Sequence, residues 1–149
     1  MAISRGAGTE IIRSHHYEEV DSTVSKLIVG EQHHIYTILS LIVQCRSVAS
    51  TGNQFILEIL GMNAKTLTSA HTIEVSRWTG VANETFVWND KFSMQGFEGA
   101  VTTSAMDTTA DQNKISDQDS SVIQYLQCRT TEAADNFDVH ITFIDQNNA

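Results

Sequence analysis

A chain of 149 residues with 18 acidic and 9 basic side chains carries a formal net charge of −9. Phosphate backbones and anionic lipid repel such a surface, which argues against nucleic-acid binding, and no apolar run approaches the roughly 20 residues that cross a bilayer. The length suits one domain whose core needs no metal or disulfide staple.

Residues 1–10, with Gly6, Ala7 and Gly8 and no apolar centre, read as a flexible amino-terminal arm rather than a secretory signal, so the expected compartment is a cytoplasm. Residues 11–149 are expected to form the domain. The stretch 9–20 holds Ile11, Ile12 and Tyr17 among polar residues and predicts a first strand; residues 25–29 predict a short second one, ended by Gly30. Two long apolar runs follow, 35–45 and 55–62. Ile35, Leu39, Leu41, Val43 and Cys45 recur at period two, as do Phe55, Leu57 and Ile59, and the turn-like residues 47–53 between them predict a β-hairpin. Tyr36, Ile38 and Ile42 then form a second apolar face on the first run, either a second core layer or a subunit interface.

Residues 72–78 alternate as a half-exposed strand. The segments 84–89 and 92–97 flank Asn89, Asp90 and Lys91, whose side chains favour a turn or bulge. From 100 to 121 the chain is Thr, Ser, Asp, Asn and Gln and predicts a long surface excursion. Residues 122–128 return to a strand pattern. The final segment is the cleanest: Phe137, Val139, Ile141 and Phe143 point one way and Asp138, His140 and Thr142 the other.

Eight or nine short strands separated by turn residues, with no convincing helix, predict an all-β chain folded as an antiparallel β-sandwich or jelly roll, with a barrel as the alternative. Proline is absent, so edge strands must be protected by charge, bulges or pairing with another chain. Cys45 and Cys128 each end an apolar run and read as buried reduced thiols that are neighbours across a sheet, a disulfide being the less favoured outcome.

Candidate chemistry is sparse. His15–His16 and His33–His34 are adjacent pairs, and neighbours on a strand face opposite ways, so neither pair offers two ligands to one metal. Cupin-type jelly-roll enzymes need His-x-His with a following Glu, which residues 30–35 lack. Asp107, Asp111, Asp117 and Asp119 do not follow calcium-loop spacing. No Gly-x-Ser-x-Gly elbow occurs. Trp78, Trp88 and Tyr36 could stack on sugars, as in carbohydrate-binding sandwiches, although packing is the commoner fate of Trp in a half-buried strand. The reading is a noncatalytic chain without metal or cofactor.

Three segments carry a resemblance. Residues 26–41 (KLIVGEQHHIYTILSL) run as short strand, turn and long apolar strand; residues 84–94 (ETFVWNDKFSM) run as strand, Asp-Lys corner and strand; residues 137–145 form a closing strand, and residues 4–13 supply a matching amino end. This order resembles the small β-sandwich structural proteins of tailed bacteriophages, including capsid decoration proteins. The chain departs from them at Gly30-Glu31-Gln32 and Gln95-Gly96, where those proteins place Pro-x-Gly turns, and in the 100–121 excursion. The resemblance implies a virion component assembled in the host cytoplasm. Its expected partners are other virion proteins, such as the major capsid protein, and further copies of itself. It carries over no catalytic residue. Contacts are expected at Arg5, Ile11 and Ile12 of the arm and first strand, and at Trp78 and Trp88.

Overall fold

The computed structural model describes residues 8–63, 70–99, 108–110 and 121–147; the excursion expected at 100–121 lies almost wholly outside them. The described residues form a β-sandwich. Its strands are β1 (Glu10–Val20), β2 (Ser25–Val29), β3 (His34–Ser47), β4 (Gln54–Met62), β5 (Ala70–Thr79), β6 (Thr85–Trp88), β7 (Phe92–Gln95), β8 (Phe97–Gly99), β9 (Ser121–Ile123), β10 (Tyr125–Thr130) and β11 (Asn136–Asn147). One sheet runs β1–β11–β3, with β6 and β7 placed end to end along the far edge of β3. The other runs β2–β10–β4–β5, and β8 with β9 makes a small ribbon. All pairings are antiparallel.

Two expected boundaries shift. β1 already begins at Glu10, inside the expected arm, and Asn147 N donates to Thr9 O at 3.0 Å. The single strand expected at 122–128 is two, divided at Gln124, because β9 pairs with β8 while β10 pairs with β2 and β4.

The core lies between the sheets. β11 keeps its strict alternation, and Phe137, Val139, Ile141 and Phe143 are fully buried. They meet Phe55, Leu57, Leu126 and Cys128 of the facing sheet in one apolar cluster, each large side chain stabilising the fold by about 1.5–3 kcal/mol. The aromatic rings interlock there: Phe55 sits 5.7 Å from Phe137 and stacks on Trp78 at 4.8 Å.

The expected hairpin does not form. β3 belongs to the five-stranded sheet and β4 to the four-stranded one, so residues 48–53 arch from one sheet to the other. The side chain of Asp135, buried in the turn between β10 and β11, dictates this. Its Oδ1 accepts from Ala49 N at 2.9 Å and Asn53 Nδ2 at 2.8 Å, and its Oδ2 accepts from Glu132 N at 3.1 Å. Both ends of the link are thereby tied to the turn between β10 and β11, and a buried carboxylate holds donors that would otherwise go unpaired.

The face assignment on β3 also changes. Between Ile38 and Ser40 the register against β11 shifts by one residue, and a bulge that inserts Leu39 inverts the parity of everything before it. Tyr36 and Ile38 therefore face the same core as Leu41, Val43 and Cys45, while Ile35 and Ile42 are exposed. The three residues 89–91 break the edge strand beside this bulge, separating β6 from β7 as the Asn-Asp pair foretells. A second shift, between Leu57 and Glu58 opposite β5, leaves Val75 as the extra residue.

Cys45 and Cys128 are buried and free. They stand on facing sheets rather than side by side in one, since β3 and β10 do not pair. Burial first, and then the nearby Glu58 carboxylate, pushes the Cys128 thiol up to about 12, which keeps it protonated and unreactive.

Burial works to raise the Asp135 carboxyl, but the donors from Ala49, Asn53 and Glu132 outweigh it and hold the carboxyl below its ordinary value. A depressed carboxyl stabilises the fold above the unfolded value near pH 4 and loses that contribution as pH falls through the lower folded value. Asp135→Ala is therefore expected to cost about 2 kcal/mol at pH 7, measured by urea unfolding, and to show a smaller further loss on acidification than the parent chain.

Gly30 and Gly96 cross with their backbones in contact: a Cβ on Gly96 would stand 1.9 Å from Glu31 O, and one on Gly30 would stand 2.0 Å from Gly96 O. Gly96→Ala is expected to lower the thermal midpoint by several degrees or to abolish soluble expression, whereas Gly52→Ala, which meets no atom within 4 Å, is limited to the strain of its positive φ.

Candidate functional site

The residues expected to make contacts do not come together. Arg5 lies outside the described residues. Ile11, opposite the buried Asp145 at the end of β1, is itself exposed, and its neighbour Ile12 stands 71% exposed on the other face. Trp78 turns inward from β5 and stacks on Phe86 of β6 at 4.5 Å, closing the open edge between the sheets. Trp88 packs against the core and donates its Nε1–H to Asp90 O at 2.8 Å. Tyr36, the third candidate for a sugar platform, is buried, its hydroxyl oxygen accepting from Glu31 N at 3.0 Å. Burial above all pushes its phenol up to about 12.

Three polar features emerge instead. The first closes one end of the sandwich. Asp145, at the end of the inward row of β11, is fully buried and receives Arg13 Nη1 at 3.1 Å and His34 Nδ1 at 2.6 Å. His34 Nε2 lies 3.4 Å from Glu31 Oε2, so the ring stands between two carboxylates while Arg13 brings positive charge to Asp145. His15, inward on β1, places Nδ1 2.9 Å from Leu27 O, and Tyr17 donates its hydroxyl to Lys26 O at 2.7 Å. These two side chains cap carbonyls along the outer edge of β2, which would otherwise recruit another strand.

The second is the outer face of the four-stranded sheet, where charge is dense. Lys26, Gln127, Glu58 and Glu74 form one cross-strand row, and Arg129, Ile56 and Arg77 the next. Glu58 Oε1 accepts from Gln127 Nε2 at 2.7 Å and Arg129 Nε at 3.3 Å. Arg77 pairs with Glu74, a contact between i and i+3 that a regular strand cannot make; the Val75 bulge puts both on one side.

The third is the outer face of the five-stranded sheet, and it is the reverse. Three successive rows cross it: Ile12, Ile144, Thr37 and Ser93; then Ser14, Thr142 and Ser40; then His16, His140, Ile42 and Val87. None carries a formal charge with histidine neutral. Carboxylates bound the patch, Glu10 at one end and Asp138, paired with Arg46, at the other; Asp90 and Lys91 sit at its edge, in the break between β6 and β7. Hydroxyls pair across strands, Ser14 with Thr142 at 3.0 Å and Thr37 with Ser93 at 2.9 Å, and Ile12, Ile42 and Val87 stand exposed among them. A flat, uncharged field of Ile, Val, Ser, Thr and His on a chain of net charge −9 has the composition of a protein contact surface, where charged residues are depleted. The outward positions His140 and Thr142 were legible in the last strand; the remainder of the patch depends on strand order and on the β3 bulge.

No protein-family model matches the chain, and no curated protein matches it significantly. Solved structures similar to it include a protein of the Bacillus endospore appendages, described as a family of disulfide-linked pili, at TM-score 0.45 and 10% identity, covering 100% of this chain and 97% of that one. A chain of infectious bursal disease virus, Gx strain, is similar at TM-score 0.44 and 9% identity over 93% of this chain and 33% of its own. The N-terminal endo-1,4-β-D-xylanase of Clostridium thermocellum complexed with xylohexaose is similar at TM-score 0.43 and 12% identity over 87% of this chain and 20% of its own. This chain thus spans about a third of the viral protein and a fifth of the xylanase. Similarity at this level leaves the function of the chain open.

Removing the buried carboxylate at the sandwich end strands Arg13 and His34 beside each other. Asp145→Ala is expected to cost about 2–3 kcal/mol, read as a lowered urea midpoint, with Asp145→Asn intermediate because it still accepts one hydrogen bond.

Proposed function

We propose that this protein is a noncatalytic structural subunit of a virion, a capsid decoration protein that binds the shell of a tailed phage in many copies. The observation that carries the reading is the uncharged outer face of the five-stranded sheet, set against the ion-paired outer face of its partner sheet. A sandwich offers two broad faces, and the middle rows of this one carry no formal charge. Face-on seating of the neutral sheet against a shell protein desolvates few charges, while the hydroxyl rows and the two histidines supply hydrogen bonds and register. The rigid core keeps the face preorganised, so little ordering entropy opposes docking. Many weak, identical contacts on a repeating lattice then add up. The order of segments shared with small phage sandwich proteins points the same way. In this reading the tryptophans hold the sandwich edge closed and the subunit turns over no substrate.

The test follows the tagged chain through a density gradient from lysates of its native host. The chain is expected in the particle band at high copy number beside the shell protein. Ile42→Asp combined with Thr142→Asp is expected to reduce particle-bound protein at least tenfold while leaving a folded chain whose unfolding free energy falls by about 1–2 kcal/mol, the loss of the Ser14–Thr142 bond included. Thr72→Asp, on the outer face of the other sheet, is expected to bind as the parent does. Recovery only in the soluble fraction, or full occupancy by the double variant, overturns the reading; binding of the soluble chain to a glycan array would favour a sugar-binding module instead.

A further inference from the structure

His16 of β1 and His140 of β11 occupy directly opposed positions on the outer face of the five-stranded sheet. Their ring centroids are 5.7 Å apart with planes inclined by 52°. Two imidazoles bound to one tetrahedral zinc, at a Zn–N distance of about 2.0–2.1 Å, hold their ring centres roughly 5 Å apart. The pair therefore needs a shift of about an ångström, within the reach of side-chain rotation alone. Glu18 Oε1 lies 3.6 Å from His16 Nε2, beyond hydrogen-bond distance, where it places negative charge beside a cation. His15 takes no part, since it faces inward against Leu27 O.

Among the described residues no group of three metal-binding side chains is assembled, so the two histidines amount to half of a tetrahedral shell. The surroundings say what completes it. On one side the pair adjoins the uncharged row Ser14, Thr142 and Ser40, and on the other Glu18 and the Arg46-paired Asp138, so a cation held between two copies that each carry −9 also offsets the carboxylates the contact brings near. A two-fold contact sets each residue of the patch against the same patch on the second copy. Sheets stacked face to face lie about 10 Å apart, a gap that imidazoles reaching in from both sides span.

We propose that His16 and His140 are a two-histidine half-site for a divalent transition cation of the zinc class, completed by the same two histidines of a second copy, so that one metal joins two chains through the outer face of the five-stranded sheet. Imidazole suits zinc, copper and nickel over calcium or magnesium. The inference does not rest on the shell-binding reading, because it requires only the chain and the metal; a copy held in such a dimer has this face withdrawn from any shell.

Sedimentation velocity and titration calorimetry on the purified full chain test it, first in EDTA and then with zinc sulfate. A monomer in EDTA should become a dimer at one zinc per two chains. His16→Ala and His140→Ala should each stay monomeric and bind zinc at least tenfold more weakly with unchanged thermal midpoints, while His71→Ala behaves as the parent. His140→Gln serves if the alanine variant fails to fold. A chain that remains monomeric at saturating zinc, one already dimeric in EDTA, or a zinc-linked dimer that survives loss of either histidine overturns the inference. None of these results depends on whether the chain attaches to a particle.

Discussion

The carboxylate of Asp135 is the constraint on which the architecture turns. It draws together the backbone of Ala49, the side chain of Asn53 and the backbone of Glu132, uniting the link between β3 and β4 with the turn between β10 and β11. An acceptor with two oxygens and low solvent access can satisfy several donors at once and is costly to leave unmatched. Because the link is held as an arch, β3 and β4 lie across the core from each other instead of beside each other. β11 can then take the place next to β3, β10 the place next to β4, and the apolar rows of all four strands close on a shared interior.

Strand positions were largely readable from period-two hydrophobicity, and β11 was readable in full because nothing interrupts its alternation. Pairing was not. Residues 47–53 have the composition of a hairpin turn, and composition is silent on whether a turn stays within a sheet or leaves it; that depended on an aspartate more than 80 residues downstream. Facing was misread on β3 for a different reason. One inserted residue at Leu39 reverses the parity of Tyr36 and Ile38, and a pattern of apolar residues on both sides of a strand gives no clue to where such an insertion sits. The same device at Val75 places Glu74 and Arg77 together.

The uncharged patch was less legible than the fold. Its residues come from β1, β3, β6, β7 and β11 and acquire meaning only when the strand order sets them side by side. What marks the patch is the charge it lacks, a signal spread over distant parts of the chain. The aromatic residues, which attract attention in a sequence, went to packing: Trp78 against Phe55 and Phe86, Tyr36 into the core. The histidines that looked unpromising as sequence neighbours became a pair across strands, His16 with His140 rather than with His15.

The glycine crossing has a consequence of its own. Gly96 N donates to His34 O, Gly96 O accepts from Gln124 N, and Gln124 O accepts from Gly30 N, at 2.8–2.9 Å each. These three bonds form a collar around the base of the β8–β9 ribbon. The footing of the ribbon is thus set by main-chain atoms. Replacing the side chain of His34 or Gln124 therefore leaves all three donors and acceptors in place, whereas a side chain at Gly30 or Gly96 drives the two main chains apart.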